Sequence, residues 1–95
     1  MVELLKSDRM KLDILKILAD GKVYSFYHLS KLLKTNYTSV KKNCFFLELL
    51  GLVEIVKIEK EESASGIPSY KVRITKAGLE LLDKAKAVFS EENLV

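Results

Sequence analysis

Lys22, Lys31, Lys34, Lys41 and Lys42 lie in a stretch without acids, since no Asp or Glu occurs between Asp20 and Glu48. Tyr37, Thr38 and Ser39 stand among these lysines, and their hydroxyls both donate and accept hydrogen bonds. Ammonium groups neutralise phosphate oxygens, while neutral polar side chains beside them read base edges, so this combination points to nucleic-acid binding. The net charge of +3 is modest, but its placement is uneven. Residues 1–50 carry nine basic and five acidic groups, and residues 51–95 carry seven and eight. Positive charge therefore collects in the first half, as a phosphate-facing surface requires. The ordinary alternative is a solvated lysine face.

Catalytic chemistry has no comparable basis. His28 is the sole histidine and has no carboxylate or nucleophile near it in sequence to orient it; a surface or phosphate-contacting role fits it better. Cys44 is the sole cysteine, so no intrachain disulfide is available and a metal site would lack ligands. A small buried hydrophobe is its ordinary reading, and an intersubunit disulfide the alternative. Gly21, Gly51, Gly66 and Gly78 are scattered and form no phosphate-cradling loop. The expectation is a protein that is not an enzyme, with no cofactor and no metal.

The elements that position these residues can be read from spacing. Ser7 is a candidate cap for a first helix running to about Ala19, with Asp8 in its first turn. Met10, Ile14, Ile17 and Leu18 form its stripe, widened by Leu12 and Leu15. Asp20, Gly21 and Lys22 stop it. Ser25 caps a second helix from Phe26 to about Lys34, and the turn Lys34-Thr35-Asn36 leads to a third from about Tyr37 to Leu50, capped by Asn36. Val40, Cys44, Leu47 and Leu50 recur there at helical spacing, and Gly51 ends that helix. Two helices joined by so short a turn form a helix-turn-helix, whose second helix enters a major groove. Lys31, Lys34, Lys41 and Lys42 would then hold phosphates, and Tyr37, Thr38 and Ser39 would read bases.

Residues 52–60 and 69–74 read as two strands, the second alternating Tyr70, Val72 and Ile74 with Ser69, Lys71 and Arg73. Between them, EESASGIP has the composition of a flexible hairpin tip. Lys60, Ser63, Ser65, Lys71 and Arg73 could touch DNA from this hairpin, whereas Glu59, Glu61 and Glu62 oppose close phosphate approach. Thr75 caps a last helix from Lys76 to about Phe89, and residues 90–95 read as a frayed tail. Phe45, Phe46 and Leu49 make the second half of the third helix apolar nearly all round, which implies burial on more than one side. For Phe45 the preferred reading is packing, with contact to thymine methyl groups as the alternative.

LLKTNYTSVKKNCFFLELLGLVE and YKVRITKAGLELL resemble the helix-turn-helix and the wing-to-last-helix segments of winged-helix transcription regulators of the MarR-like and ArsR-like group. The resemblance covers roughly residues 10–90, and a short chain rich in Lys, Ile and Leu is similar to compact winged-helix proteins of archaea and their viruses. It implies a minimal first strand at Val23-Tyr24. The expected fold is α+β, mostly α: a winged helix-turn-helix with a three-helix core, a two-stranded β-hairpin wing and a C-terminal dimerisation helix. Residues 1–95 are expected to form one domain, with the helix-turn-helix at about 25–50, the wing at about 52–74 and the last helix at about 76–89.

The function expected is sequence-specific recognition of double-stranded DNA by a homodimer that regulates transcription through promoter occlusion. Leu4, Leu5, Phe45, Leu49, Leu81, Leu82, Ala85, Val88 and Phe89 are the candidates for the dimer interface. The alternative is a winged-helix protein-interaction module using Phe45 and Leu49; an RNA-binding role is weaker, since only Tyr70 places an aromatic on a strand. A hydrophobic content of 48% with 31% charged residues excludes a disordered chain. No apolar run reaches the roughly 20 residues a membrane span needs, and the N-terminus lacks a signal peptide's apolar stretch, so a cytoplasmic location is expected, in a host cell if the protein is viral. No small-molecule effector is identifiable.

Overall fold

The structure, a computed structural model, describes residues 6–58 and 69–93. Helix α1 (Lys6–Leu18) places Asp8 in its first turn and Lys16 in its last, both favourable to the helix dipole. It already includes Ser7, the expected cap, so the helix begins about two residues earlier than the Ser-Asp signal suggests. Gly21, at φ +80°, turns the chain out of α1, and its N–H donates to the Leu18 carbonyl at 3.0 Å. Asp20 then accepts from the Lys22 N–H at 2.8 Å and from the Tyr24 hydroxyl at 2.5 Å. These two donors hold the Asp20 carboxyl below its ordinary pKa, the Tyr24 hydroxyl first.

Strand β1 (Tyr24–Ser25) runs straight into helix α2 (Phe26–Leu33), and helix α3 (Tyr37–Leu49) follows after a short turn. Strands β2 (Val53–Ile58) and β3 (Ser69–Ile74) pair antiparallel, with Ile55 opposite Val72 and Glu54 opposite Arg73. β1 adds to the other edge of β3, Tyr24 opposite Val72, so the sheet order is β1-β3-β2. The minimal first strand therefore exists and lies one residue later than expected. The expected wing tip, with Lys60, Ser63 and Ser65, lies outside the described residues, as do Leu4 and Leu5.

Helix α4 (Lys76–Asn93) continues through most of the expected frayed tail. Its capping residue, Thr75, joins two corners of the fold. The Thr75 hydroxyl accepts from the Gly78 N–H at 3.1 Å and donates to the Gly51 carbonyl at 2.7 Å. The Thr75 N–H reaches the Leu52 carbonyl at 3.0 Å. Gly78 makes the approach possible, because a Cβ there would fall on the Leu52 carbonyl oxygen and 2.7 Å from Ile74 Cγ1. The start of α4 is thus fixed to the end of α3.

Ile14, Leu15 and Leu18 of α1, Phe26 and Leu29 of α2, and Val40, Cys44 and Leu47 of α3 form the core, closed by Val53, Val72 and Leu82. Leu82 was expected at a dimer interface; at 2% exposure it already packs within its own chain, because α4 folds back against α1. Cys44 is fully buried as a small hydrophobe, so its thiol does not reach a surface where an intersubunit disulfide could form.

Burial pushes the Cys44 thiol up to about 12 from an ordinary value near 9. A group whose folded pKa is raised stabilises the fold fully below its unfolded pKa, and that contribution is lost as pH rises. Urea unfolding from pH 8 to 11 should therefore show an alkaline loss, with a slope of up to about 1.4 kcal/mol per pH unit assignable to this thiol. The Cys44→Ala variant, less stable at neutral pH, should lose that part of the slope.

Candidate nucleic-acid interface

The two helices of the helix-turn-helix are set by local hydrogen bonds legible in sequence. Ser25 Oγ accepts from the His28 N–H at 3.0 Å and caps α2, while Asn36 Oδ1 accepts from the Ser39 N–H at 2.7 Å and caps α3. α2 and α3 end in the same way. After α3, Gly51 at φ +77° donates to the Glu48 carbonyl at 2.9 Å and Leu52 donates to that of Leu47 at 3.0 Å. After α2, Lys34 donates to the Lys31 carbonyl at 3.3 Å and Thr35 donates to that of Ser30 at 3.0 Å. Both pairs are Schellman closures, but Lys34 occupies at φ 54° the left-handed position that Gly51 fills at the other end. An L-residue there costs about 1–2 kcal/mol. It carries an exposed ammonium at the turn between the two helices.

Along α3, Val40, Cys44 and Leu47 face the core, and Thr38, Lys42 and Leu49, at spacings of four and seven, lie on the opposite side, with Phe46 (49% exposed) and Phe45 (37% exposed) on its two flanks. Thr38 and Lys42 are exposed as expected, next to exposed Lys31 and Lys34. Tyr37, 39% exposed, leans back so that its ring centre lies 6.0 Å from that of Phe26, and burial raises its phenol pKa. Ser39 is half-buried on the side facing α1. Lys41 is half-buried, with Nζ 5.4 Å from the centre of the Tyr70 ring. The expected base-reading trio is therefore split: Thr38 faces out, Tyr37 leans toward Phe26 of α2 and Ser39 toward α1.

A shallow recess of about 320 Å³ separates α3 from α1, lined by Lys11, Ser39, Lys42, Asn43 and Phe46. Asn43 is a residue that sequence reasoning did not single out. It is 9% exposed, and its amide donates to the Ser39 carbonyl at 2.8 Å and to Met10 Sδ at 3.1 Å, tying α3 to α1. Only an unexpected polar residue within an apolar helical face hinted at it. Glu48, the one acid of α3, accepts from the Ile55 N–H at 3.1 Å, so its carboxylate is engaged at the β2 backbone. Arg73, a candidate wing contact, is held across the sheet by Glu54 at 2.7 Å.

Phe45 was expected at a dimer interface. In the single chain it packs edge-on against Phe26 and Tyr70, at centre distances of 5.9 and 5.5 Å, with 37% of its surface left open. Leu49 and Leu81 are 83% and 41% exposed and Ala85 is half-buried, while the side chains of Val88 and Phe89 lie outside the described residues. Among the described residues no three His, Cys, Asp or Glu side chains gather to hold a metal, and no helix is long and apolar enough to cross a membrane.

No protein-family model and no curated protein sequence matches the chain. Solved structures do. The transcriptional regulator BldR from Sulfolobus solfataricus superposes with a TM-score of 0.71 at 22% identity, over 93% of this chain and 59% of that one. A mutant MarR from E. coli gives 0.70 at 13% identity, over 86% and 57%. MepR from S. aureus, solved as a complex with DNA, gives 0.69 at 15% identity, over 88% and 65%. This chain thus spans less than two thirds of each of these three proteins. The fold is the winged helix that the sequence resemblance implied.

Replacing Lys34 by Gly should relieve the left-handed strain while adding about 0.5–1 kcal/mol of chain entropy cost, for a net gain of roughly 0.5–1 kcal/mol. The check is a higher urea midpoint for Lys34→Gly with an unchanged denaturant slope.

Proposed function

We propose that this winged-helix chain is a transcription regulator that binds double-stranded DNA sequence-specifically as a homodimer and acts by promoter occlusion in the cytoplasm. The observation that carries the reading is the outward face of α3. Its N-terminal half presents Thr38 and Lys42 to solvent, beside Lys41, with Lys31 and Lys34 at the end of α2 and in the turn. The one acid of that helix is bound to backbone elsewhere. Lysines on this scale attract and position a phosphate backbone, and residues near the N-terminus of the recognition helix reach base edges.

Strain at Lys34 supports the same reading. A lysine where glycine would be easier is explained if its ammonium contacts a phosphate at the turn. MepR, of the same fold, is seen on DNA. In a homodimer the two copies of α3 would enter major grooves about 34 Å apart, on a pseudo-palindromic site. α4 is the proposed dimer contact, with Leu79 and Leu81 still 40% and 41% exposed on the single chain. A protein-interaction module is the second reading, favoured by one observation: Phe46, Leu49 and Leu50 are 49%, 83% and 54% exposed at the far end of α3.

Fluorescence anisotropy with selected and random duplexes across a salt series separates the two readings. The wild-type chain should bind selected duplex more tightly than random duplex and lose affinity steeply with salt. The Lys41→Ala/Lys42→Ala variant should weaken both and flatten the slope of log affinity against log salt by about one unit for each phosphate it no longer neutralises. Feeble binding that the double substitution leaves unchanged would reject DNA as the partner and favour the protein-interaction reading.

A further inference from the structure

We propose that Phe45 is a base-reading residue whose exposed ring surface contacts the 5-methyl group of a thymine in the major groove. The inference rests on α3 lying on duplex DNA, and it names the base chemistry that α3 would select.

Phe45, with 37% of its surface open, lies on the flank of α3 turned toward Phe26 and Tyr70, three residues beyond Lys42. That is roughly 4.5 Å along the helix axis, close to the rise of one base-pair step, about 3.4 Å. With α3 laid along the major groove, a duplex placed on Thr38 and Lys42 would bring neighbouring base pairs toward the open edge of Phe45. The ring is held in advance, since it stands at 88° to the Phe26 ring and 80° to the Tyr70 ring. An apolar group already fixed loses little conformational freedom on binding, so its remaining 37% of open surface is available for contact at low entropic cost. The thymine methyl is the apolar group that the major groove displays, and phenylalanine is among the residues that contact it.

The charge around Phe45 favours the same occupant. Lys41 and Lys42 precede it by four and three residues. The nearest acid on the helix, Glu48, has its carboxylate engaged by the Ile55 N–H at 3.1 Å. An apolar ring set beside two cations fits an anionic polymer with apolar points on its base edges. Tyr37 and Tyr70, the other aromatics of the cluster, pack against Phe26 and support the ring.

The test uses a duplex selected from a random pool by the wild-type chain. Its thymines are replaced one at a time by deoxyuridine, which deletes the methyl and keeps the pairing. Binding is read by anisotropy. At one thymine of each half-site the replacement should weaken binding about four-fold, the factor that one buried methyl-sized group is worth. Phe45→Ala should lose a similar factor on the thymine duplex and no longer distinguish deoxyuridine at that position. Phe45→Leu, which keeps an apolar contact and fills much of the cluster, should retain part of the discrimination. A duplex that the wild type binds tightly but with every thymine indifferent to the replacement overturns the inference and leaves the DNA reading standing. So does a Phe45→Ala chain of wild-type helical content that still discriminates. No binding to any duplex would overturn the DNA reading and this inference with it. If Phe45→Ala does not fold, the wild-type replacement series and Phe45→Leu decide.

Discussion

The Phe26 ring, fully buried at the first position of α2, lies against Tyr37 and Phe45 of α3 and stacks on Tyr70 of β3 at 5.3 Å with the planes 15° apart. Each such ring pair contributes about 0.5–1.5 kcal/mol beyond the area it buries. More important is where the ring sits. It is the point at which both helices of the helix-turn-helix and the central strand of the sheet meet, so the tilt of α3 relative to the hairpin is set there. Lys41 is drawn into the same assembly, its ammonium above the Tyr70 ring. The face that α3 presents to solvent is what remains once Phe26, Tyr70 and the core have claimed the other sides.

Two further constraints keep that face in place. Asn43 fixes α3 to α1 from behind through Met10 Sδ and the Ser39 carbonyl. At the C-terminal end, Gly51, Leu52, Thr75 and Gly78 join α3 to α4 by backbone contacts and one hydroxyl. Helix α3 is thus held along its length by an aromatic cluster on one side, an amide on another and a corner at its end. A surface of this kind suits recognition that depends on register, because reading a base edge demands a side chain placed to within a fraction of an ångström. The winged-helix fold holds α3 in this way within a chain of 95 residues.

Much of the fold was legible because its determinants are local. Ser25, Asn36, Gly51 and Thr75 each sit where a cap or a left-handed residue is needed, and each acts there. The alternation from Ser69 to Ile74 located β3 to the residue. The start of α1, which lies before its Ser-Asp signal, and the end of α4, which runs past Phe89 with no stop signal to mark it, were misplaced. Long-range contacts were not legible. Nothing in the sequence says that Phe45 meets Phe26 and Tyr70, or that α4 turns back to bury Leu82, since these depend on how elements distant in sequence pack. The strained Lys34 was equally hidden, because lysine carries no preference for the left-handed region and only the surrounding closure enforces it. Of the candidate site, Thr38 and Lys42 could be placed from helical spacing, whereas the half-burial of Lys41 over Tyr70 and the inward lean of Tyr37 and Ser39 required the neighbours that α2, β3 and α1 supply.

The most direct test of the central claim, that the outward face of α3 meets DNA, is a map of backbone amide shifts in an isotope-labelled chain titrated with selected duplex. The account predicts that the changes concentrate at Lys31, Lys34, Thr38, Lys42 and Phe45 and fade toward Leu79 and Leu81 of α4. Changes confined to α4, or to Leu49 and Leu50 with the lysine-bearing half of α3 unmoved, would contradict it.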